Sequence, residues 1–231
     1  MREISPGWIS VLCPTRARSF NVNRLLDSIA ATAATDKVEV VFRTDEDSPL
    51  EANISSPRII ETRGPRILLA QMWNEAYAVS RGEIVMVCGD DIVFRTPGWD
   101  ERVRAEFAVV PDRIALVYGN DLLQGQNLAT HGFMHHTWVE ALGYVTPPYF
   151  SCDYVDTWLH EIAERIGRLR YMPDVITEHM HPGAGKAAWD QSHQERLARG
   201  QRDNVAQIWI DTEPERAREA AKLQALISAG L

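Results

Sequence analysis

The stretch Ile84-Val85-Met86-Val87-Cys88-Gly89-Asp90-Asp91 decides the fold. An unbroken apolar run of this length, stopped by glycine, reads as a buried strand. Two adjacent carboxylates directly after such a strand repel each other and resist desolvation. A divalent cation relieves both problems, because hard cations take carboxylate oxygens and Mg²⁺ or Mn²⁺ sites combine one or two carboxylates with substrate phosphates. Gly89 allows a tight turn and close approach of a ligand. The plainer alternative is an exposed acidic turn with Asp91 as a cap; the position at a strand end favours the metal.

Upstream the pattern repeats. Ile9 to Cys13 is a short apolar run halted by Pro14-Thr15-Arg16, and Val38 to Arg43 is another, ending at Thr44-Asp45-Glu46-Asp47. Arg58 to Glu61 is a shorter strand. Between them, Leu25, Leu26, Ile29, Ala30 and Ala33 recur at helical spacing, so residues 22–34 form an amphipathic helix. Leu68, Leu69, Met72, Trp73, Ala76 and Tyr77 share a face of a second helix that stops at Arg81-Gly82. Strands alternating with helices predict an α/β fold with a mostly parallel central sheet. In such sheets ligands bind beyond the carboxyl ends of the strands, where the polar loops 14–18, 44–47 and 89–91 all fall.

The second half is less regular. It predicts a helix over Arg102–Ala108, a strand over Ile114–Tyr118 and a helical stripe from Val155 to Ile166. Thr212-Glu213-Pro214-Glu215 has the composition of a capped start for a terminal helix. The expected division is a catalytic domain over 1–189 and a helical extension over 190–231.

Further residues carry candidate chemistry. In Thr177-Glu178-His179-Met180-His181, an extended backbone points the two imidazoles to opposite sides, so one of them is expected at the metal. Gly183, Gly185 and Lys186 follow as a basic loop suited to a diphosphate. Asp153 and Asp156 open the 155–166 helix; one is expected as its cap and the other as a general base toward an acceptor hydroxyl. Arg16 and Arg18 are candidates for phosphate, Asp45 or Asp47 for a base or ribose, and Thr15 for positioning the nucleoside with Asp45; ordinary solvated loop residues are the alternative. His131, His135, His136 and His160 form no spaced metal motif.

Taken in order, these segments resemble the GT-A fold glycosyltransferases of the family 2-like group, over residues 8–186. Val11-Leu12-Cys13-Pro14-Thr15-Arg16 looks like that group's opening strand and nucleotide loop, and Thr44-Asp45 matches the place where an Asp binds the base. Asn74-Glu75-Ala76 through Gly82-Glu83-Ile84-Val85 resembles the helix and strand leading to the metal, and Cys88-Gly89-Asp90-Asp91 is similar to the DxD-type motif, with glycine in place of its first acid. Ser151-Cys152-Asp153 falls where the group has Glu-Asp, and the late His pair resembles its C-terminal metal-binding histidine. The resemblance implies transfer of a sugar from a UDP- or GDP-sugar, with Mn²⁺ or Mg²⁺ as cofactor. It implies metal ligands Asp91 and His179 or His181, donor contacts from Pro14, Thr15, Arg16, Asp45, Asp90 and Lys186, and Asp153 or Asp156 as base. Protein, glycan, lipid-linked sugar and modified DNA all stay open as acceptors. A nucleotidyltransferase of related fold and a non-catalytic nucleotide-sugar-binding module are the alternatives.

Composition agrees with a globular enzyme. The 231 residues are 45% hydrophobic and 24% charged, with net charge −8, which disfavours a surface built for nucleic-acid backbone or anionic membrane. Three cysteines without a CxxC pair predict no disulfide framework and a reducing, cytoplasmic setting; no signal peptide or membrane span is expected. A phosphate-binding G-x-x-x-x-G-K-[ST] loop, a G-x-G-x-x-G fingerprint and a G-x-S-x-G elbow are all absent, which removes several enzyme classes.

Overall fold

The computed structural model describes residues 3–52 and 57–230. The first apolar runs become β1 (Ser5–Thr15), β2 (Val38–Asp45) and β3 (Arg58–Gly64), all parallel, and the decisive run becomes β4 (Gly82–Val87), parallel to β1 on its other side. Helices α1 (Ser19–Thr32) and α2 (Leu69–Val79) make the crossovers. The rest adds β5 (Ile92–Phe94), α3 (Trp99–Ala108), β6 (Leu116–Asn120), β7 (Gly132–His135), α4 (His136–Leu142), α5 (Val155–Arg165) and β8 (Leu169–His179). Three helices close the chain: α6 (Gln191–Arg202), α7 (Val205–Asp211) and α8 (Glu213–Ala229). The eight strands lie in the order β3-β2-β1-β4-β7-β6-β8-β5, with β7 antiparallel to both neighbours and β5 antiparallel to β8.

Both faces of the sheet are covered. Successive side chains alternate across a strand, so Ile9, Val11 and Cys13 join one apolar cluster with Val22, Leu25, Leu26 and Ile29 of α1 and Trp99 and Val103 of α3. Leu12 and Val41 join the opposite cluster with α2, α4, α5 and α8. Each large aliphatic side chain of α1 so buried contributes roughly 1.5–3 kcal/mol. The cysteines Cys13, Cys88 and Cys152 are free and buried. Among the described residues no helix is long and apolar enough to cross a membrane.

Three local expectations are corrected, and one strand, β8, is unexpected. β8 is not announced by the sequence, because Pro173 and Asp174 interrupt its apolar pattern; they sit where the register against β6 shifts between Gly119 and Asn120, the kind of irregularity that tolerates proline. Neither Asp153 nor Asp156 caps α5: Tyr154 holds the N-cap position with no side-chain cap bond, and Asp153 and Tyr154 both have left-handed backbone, φ 49° and 57°. Thr212 does precede α8, but its hydroxyl donates back to the Ile208 carbonyl at 2.6 Å and does not cap. His179 ends β8 and His181 begins a 3-10 turn at Pro182, so the alternation expected of one extended strand breaks off between them.

Candidate functional site

The parallel register gathers the polar loops. Thr15 pairs with Thr44, Asp45 with Gly64, and Leu12 with Val87, so β1, β2 and β4 end at one edge. There they open into a cleft of about 300 Å³ whose wall includes Pro14, Thr15, Arg16, Asp45, Asp90, Asp91, Asp153, Asp156, His179 and His181. Two devices hold the turn after β4. Trp73 of α2 donates its indole N–H to the Cys88 carbonyl at 3.1 Å, and the Asp91 carbonyl accepts the Met180 N–H at 2.8 Å.

The two acidic neighbours are held differently. Both oxygens of Asp90 are engaged: Oδ2 accepts the Thr15 hydroxyl at 2.6 Å, and Oδ1 accepts Arg18 at 2.8 Å and Asn21 at 3.3 Å. Burial pushes the Asp90 carboxyl up, against the pull of Arg18. Asp91 is different. Burial also acts to raise its pKa, but the hydrogen bond and charge of His179, with Arg18 behind, reverse this and hold the carboxylate below its usual range. A Cβ at Gly89 would stand 2.7 Å from Asp91 Oδ1, so the glycine in this motif leaves room for the Asp91 carboxylate.

Hydrogen-bond geometry separates the two late histidines. His179 Nε2 faces Asp91 Oδ2 at 3.6 Å, and its Nδ1, buried with no hydrogen-bond partner, faces Asp121 Oδ2 at 4.0 Å. A carboxylate behind one ring nitrogen orients a metal-binding imidazole. Asp121 is itself fixed: Oδ1 accepts the N–H groups of Leu123, Gln124 and Gly125, and Oδ2 the Thr130 hydroxyl. His181 Nδ1 instead accepts the Gly183 N–H at 3.0 Å, which leaves the neutral ring's proton on Nε2 as a donor.

Several residues here were not assigned from the sequence. His131 lies against His179 with ring centroids 4.9 Å apart, and burial, then the nearby His179, depress its pKa to about 3. No spaced motif marks it, nor Asp121; only the pairing of β8 with β5 and β6 brings His179 between Asp91 and Asp121. Helix α6 forms the far wall. Arg18 bonds Asp190 at 2.8 Å, Arg66 pairs with Glu195, and Asp153 pairs with Arg196.

Two expected phosphate ligands are otherwise engaged. Arg16 bonds Asp45 at 2.8 Å and Asp47 at 2.5 and 2.7 Å. Lys186 pairs with Glu178 at 2.9 Å and does not form part of the cleft wall. Asp45 is buried, with Oδ1 free of hydrogen bonds and fully buried Arg43 at 3.7 Å. Asp156 carries a raised pKa from burial, offset in part by the Thr157 N–H. A second His-carboxylate group, Glu83 with His135 and His136, sits where β4 begins, at the other end of that strand from Asp91. Its hydrogen bonds are internal: Glu83 accepts Gly7 N–H at 2.7 Å, His135 Nδ1 accepts Thr137 N–H at 3.3 Å, and His136 faces Glu140 at 3.1 Å.

No protein-family model matches the chain, and no curated protein matches it by sequence. Solved structures do match. The mannosyltransferase PcManGT from Pyrobaculum calidifontis, in complex with GDP-Man and Mn²⁺, superimposes with a TM-score of 0.60 at 17% identity, over 96% of this chain and 73% of that one. TarS from S. aureus, in complex with UDP-GlcNAc, gives 0.54 at 14% identity, over 82% of this chain and 64% of the other. The chain thus spans about three-quarters of the mannosyltransferase and just under two-thirds of that TarS structure. At such identities the likeness establishes the fold, which is that of the GT-A type glycosyltransferases.

Proposed function

We propose that the protein transfers a sugar from a nucleoside-diphosphate sugar to an acceptor hydroxyl, with a divalent cation held at Asp91 and His179. The observation that carries this reading is the alignment of Asp91 and His179 in the cleft wall with Asp121 behind them: a carboxylate kept ionised beside an imidazole whose other nitrogen faces a second, fixed carboxylate. One oxygen and one nitrogen donor suit Mn²⁺ well and accommodate Mg²⁺ less well. When bound, the ion would neutralise charge on the departing diphosphate. The complexes of PcManGT with GDP-Man and Mn²⁺ and of TarS with UDP-GlcNAc support a donor of this class.

The chain's own residues take these roles. Asp90 braces the Thr15–Arg18 loop and acts on the donor indirectly. Asp45 offers its free Oδ1 to a base N–H, with Arg43 and Arg16 fixing the carboxylate. His181 donates from Nε2 to a diphosphate oxygen. Asp156 takes the acceptor proton: its pKa is raised, which favours a base, whereas Asp153 is held by Arg196. In a single displacement the acceptor oxygen bonds the anomeric carbon, its proton passes to Asp156, and the bond to the diphosphate oxygen breaks with the electron pair leaving on the nucleoside diphosphate. The catalytic unit over 1–189 and the helical extension over 190–231 belong to this reading, with α6 of the extension completing the cleft. A compartment that supplies nucleotide sugars, such as the cytoplasm, suits it.

The test is a thermal-shift panel of UDP- and GDP-sugars with and without Mn²⁺. A ligand at one hundred times its Kd stabilises by about 2.7 kcal/mol. No shift with any nucleoside-diphosphate sugar would refute the proposal.

A further inference from the structure

A groove leads away from the cleft between α6 and the chain that enters α2. Arg66, Ile67, Leu68 and Gln71 line one side, and Glu195, Ala198, Arg199 and Arg202 the other; Ser151 lines it as well. On α6 the spacing of 195, 198, 199 and 202 puts these residues on one helical face. Arg66, Ile67, Glu195 and Arg199 line both the groove and the cleft, so the two spaces are continuous, and the cleft side of the junction carries Asp153 and Asp156.

The charge here runs against the rest of the molecule. A chain of net charge −8 gathers Arg66, Arg199 and Arg202 around one groove against two carboxylates, Glu195 in its wall and Asp203 beside it, which bonds Ser151 and Arg202. Two of these cations have exposed intramolecular partners: Arg66 pairs with Glu195, and Arg202 with neighbouring Asp203 at 2.6 Å. Exposed pairs of this kind contribute little to stability, so a ligand anion exchanges with them at little cost. Arg199 differs. Its Nε is buried without a hydrogen-bond partner, a donor left over at the junction of groove and cleft. Leaving such a donor unmatched costs free energy that a bound anion recovers.

We infer that this groove is the acceptor subsite and that the acceptor carries phosphate near the hydroxyl that is glycosylated. A phosphorylated sugar or polyol fits: the phosphate sits among Arg199, Arg202 and Arg66, and the hydroxyl reaches the cleft at Asp156. Arginine forks match phosphate oxygens in paired hydrogen bonds, which makes phosphate a better match than an isolated neutral hydroxyl. Calling the ligand an acceptor rests on the transferase reading; the anion site itself does not.

Calorimetric titration at low salt, in saturating UDP or GDP with Mn²⁺, tests this with glycerol 3-phosphate and glucose 6-phosphate against glycerol and glucose. The phosphorylated compounds are expected to bind alongside the nucleotide, and the neutral ones not to. Arg199→Gln with Arg202→Gln is expected to weaken phosphate-ester binding by roughly tenfold or more; Arg202→Gln alone, at an exposed position, gives a smaller loss in a fold left intact. Equal binding of glycerol and its phosphate, displacement of the ester by the nucleotide, or unchanged affinity in the double variant would each overturn the inference. Absence of nucleotide binding in the same titration counts against the transferase reading only, because the comparison of ester with polyol still decides the groove.

Discussion

Replacing His131 by asparagine should flatten the dependence of stability on pH below neutrality. The imidazole is buried against His179, and its pKa falls from 6.5 to about 3. In the unfolded chain it returns to about 6.5. Between those values the unfolded state binds a proton that the folded state refuses, so stability rises with pH across the window and is lost as pH falls below about 6.5. At pH 5 the unfolded imidazole is about 97% protonated while the folded one stays neutral. The loss between pH 7.5 and pH 5 is therefore about 2 kcal/mol from this residue alone. That figure barely depends on the folded value, provided it lies below about 4. Urea unfolding in EDTA at pH 7.5, 6.0 and 5.0 measures it. With a slope of about 2–3 kcal/mol per molar, the wild-type midpoint should fall by roughly 0.7–1 M more than that of His131→Asn. Equal losses in the two proteins, within about 0.5 kcal/mol, would refute the claim that this histidine is held neutral beside Asp91.

Asp91→Asn should abolish the Mn²⁺-dependent part of the thermal shift with UDP- or GDP-sugars, and lower turnover by roughly a hundredfold or more, since a neutral amide is a poor ligand for a hard cation. Gly89→Asp, which restores the acid of a full DxD pattern, should weaken Mn²⁺ binding in calorimetry, because its Cβ would stand 2.7 Å from Asp91 Oδ1 and displace that carboxylate. Asp156→Asn should keep nucleotide-sugar binding and lose transfer by roughly 10²–10⁴-fold; full transfer in that variant, with loss in Asp153→Asn, would move the base to Asp153. His179→Ala should cost more Mn²⁺ affinity than His181→Ala, because the Gly183 N–H occupies the His181 Nδ1 lone pair and leaves Nε2 protonated; the reverse order in a calorimetric titration would exchange their roles.

Much of the framework was legible in the residues. Apolar runs ending near Pro14, Thr44 and Gly89 marked β1, β2 and β4, because strands buried on both faces are largely apolar; β2 still admits the buried charges Glu39 and Arg43, which bond Ser10 and Glu75. The helical stripes of α1, α2 and α5 were equally plain, since each buries one face at a fixed period. Boundaries moved by a few residues: α1 begins at Ser19, and Ala30 lies exposed despite its place in the stripe.

The site is a different matter. Local sequence determined that Asp90 and Asp91 follow a buried strand, and that two histidines and two further carboxylates wait downstream. It did not determine which carboxylate is free. That depends on Arg18 and Thr15, which occupy Asp90, and on Arg196, which occupies Asp153, from positions 72, 75 and 43 residues away in the chain. Nor did it determine that His179 faces Asp91 and Asp121 while His181 accepts the Gly183 N–H, or that His131 packs against His179, since these follow from tertiary pairing that no local periodicity encodes. Hydrophobic period is a property of neighbouring residues and survives in the one-dimensional record. Ionisation state, hydrogen-bond occupancy and the second wall of a cleft are properties of residues distant in sequence, and only the folded chain fixes them.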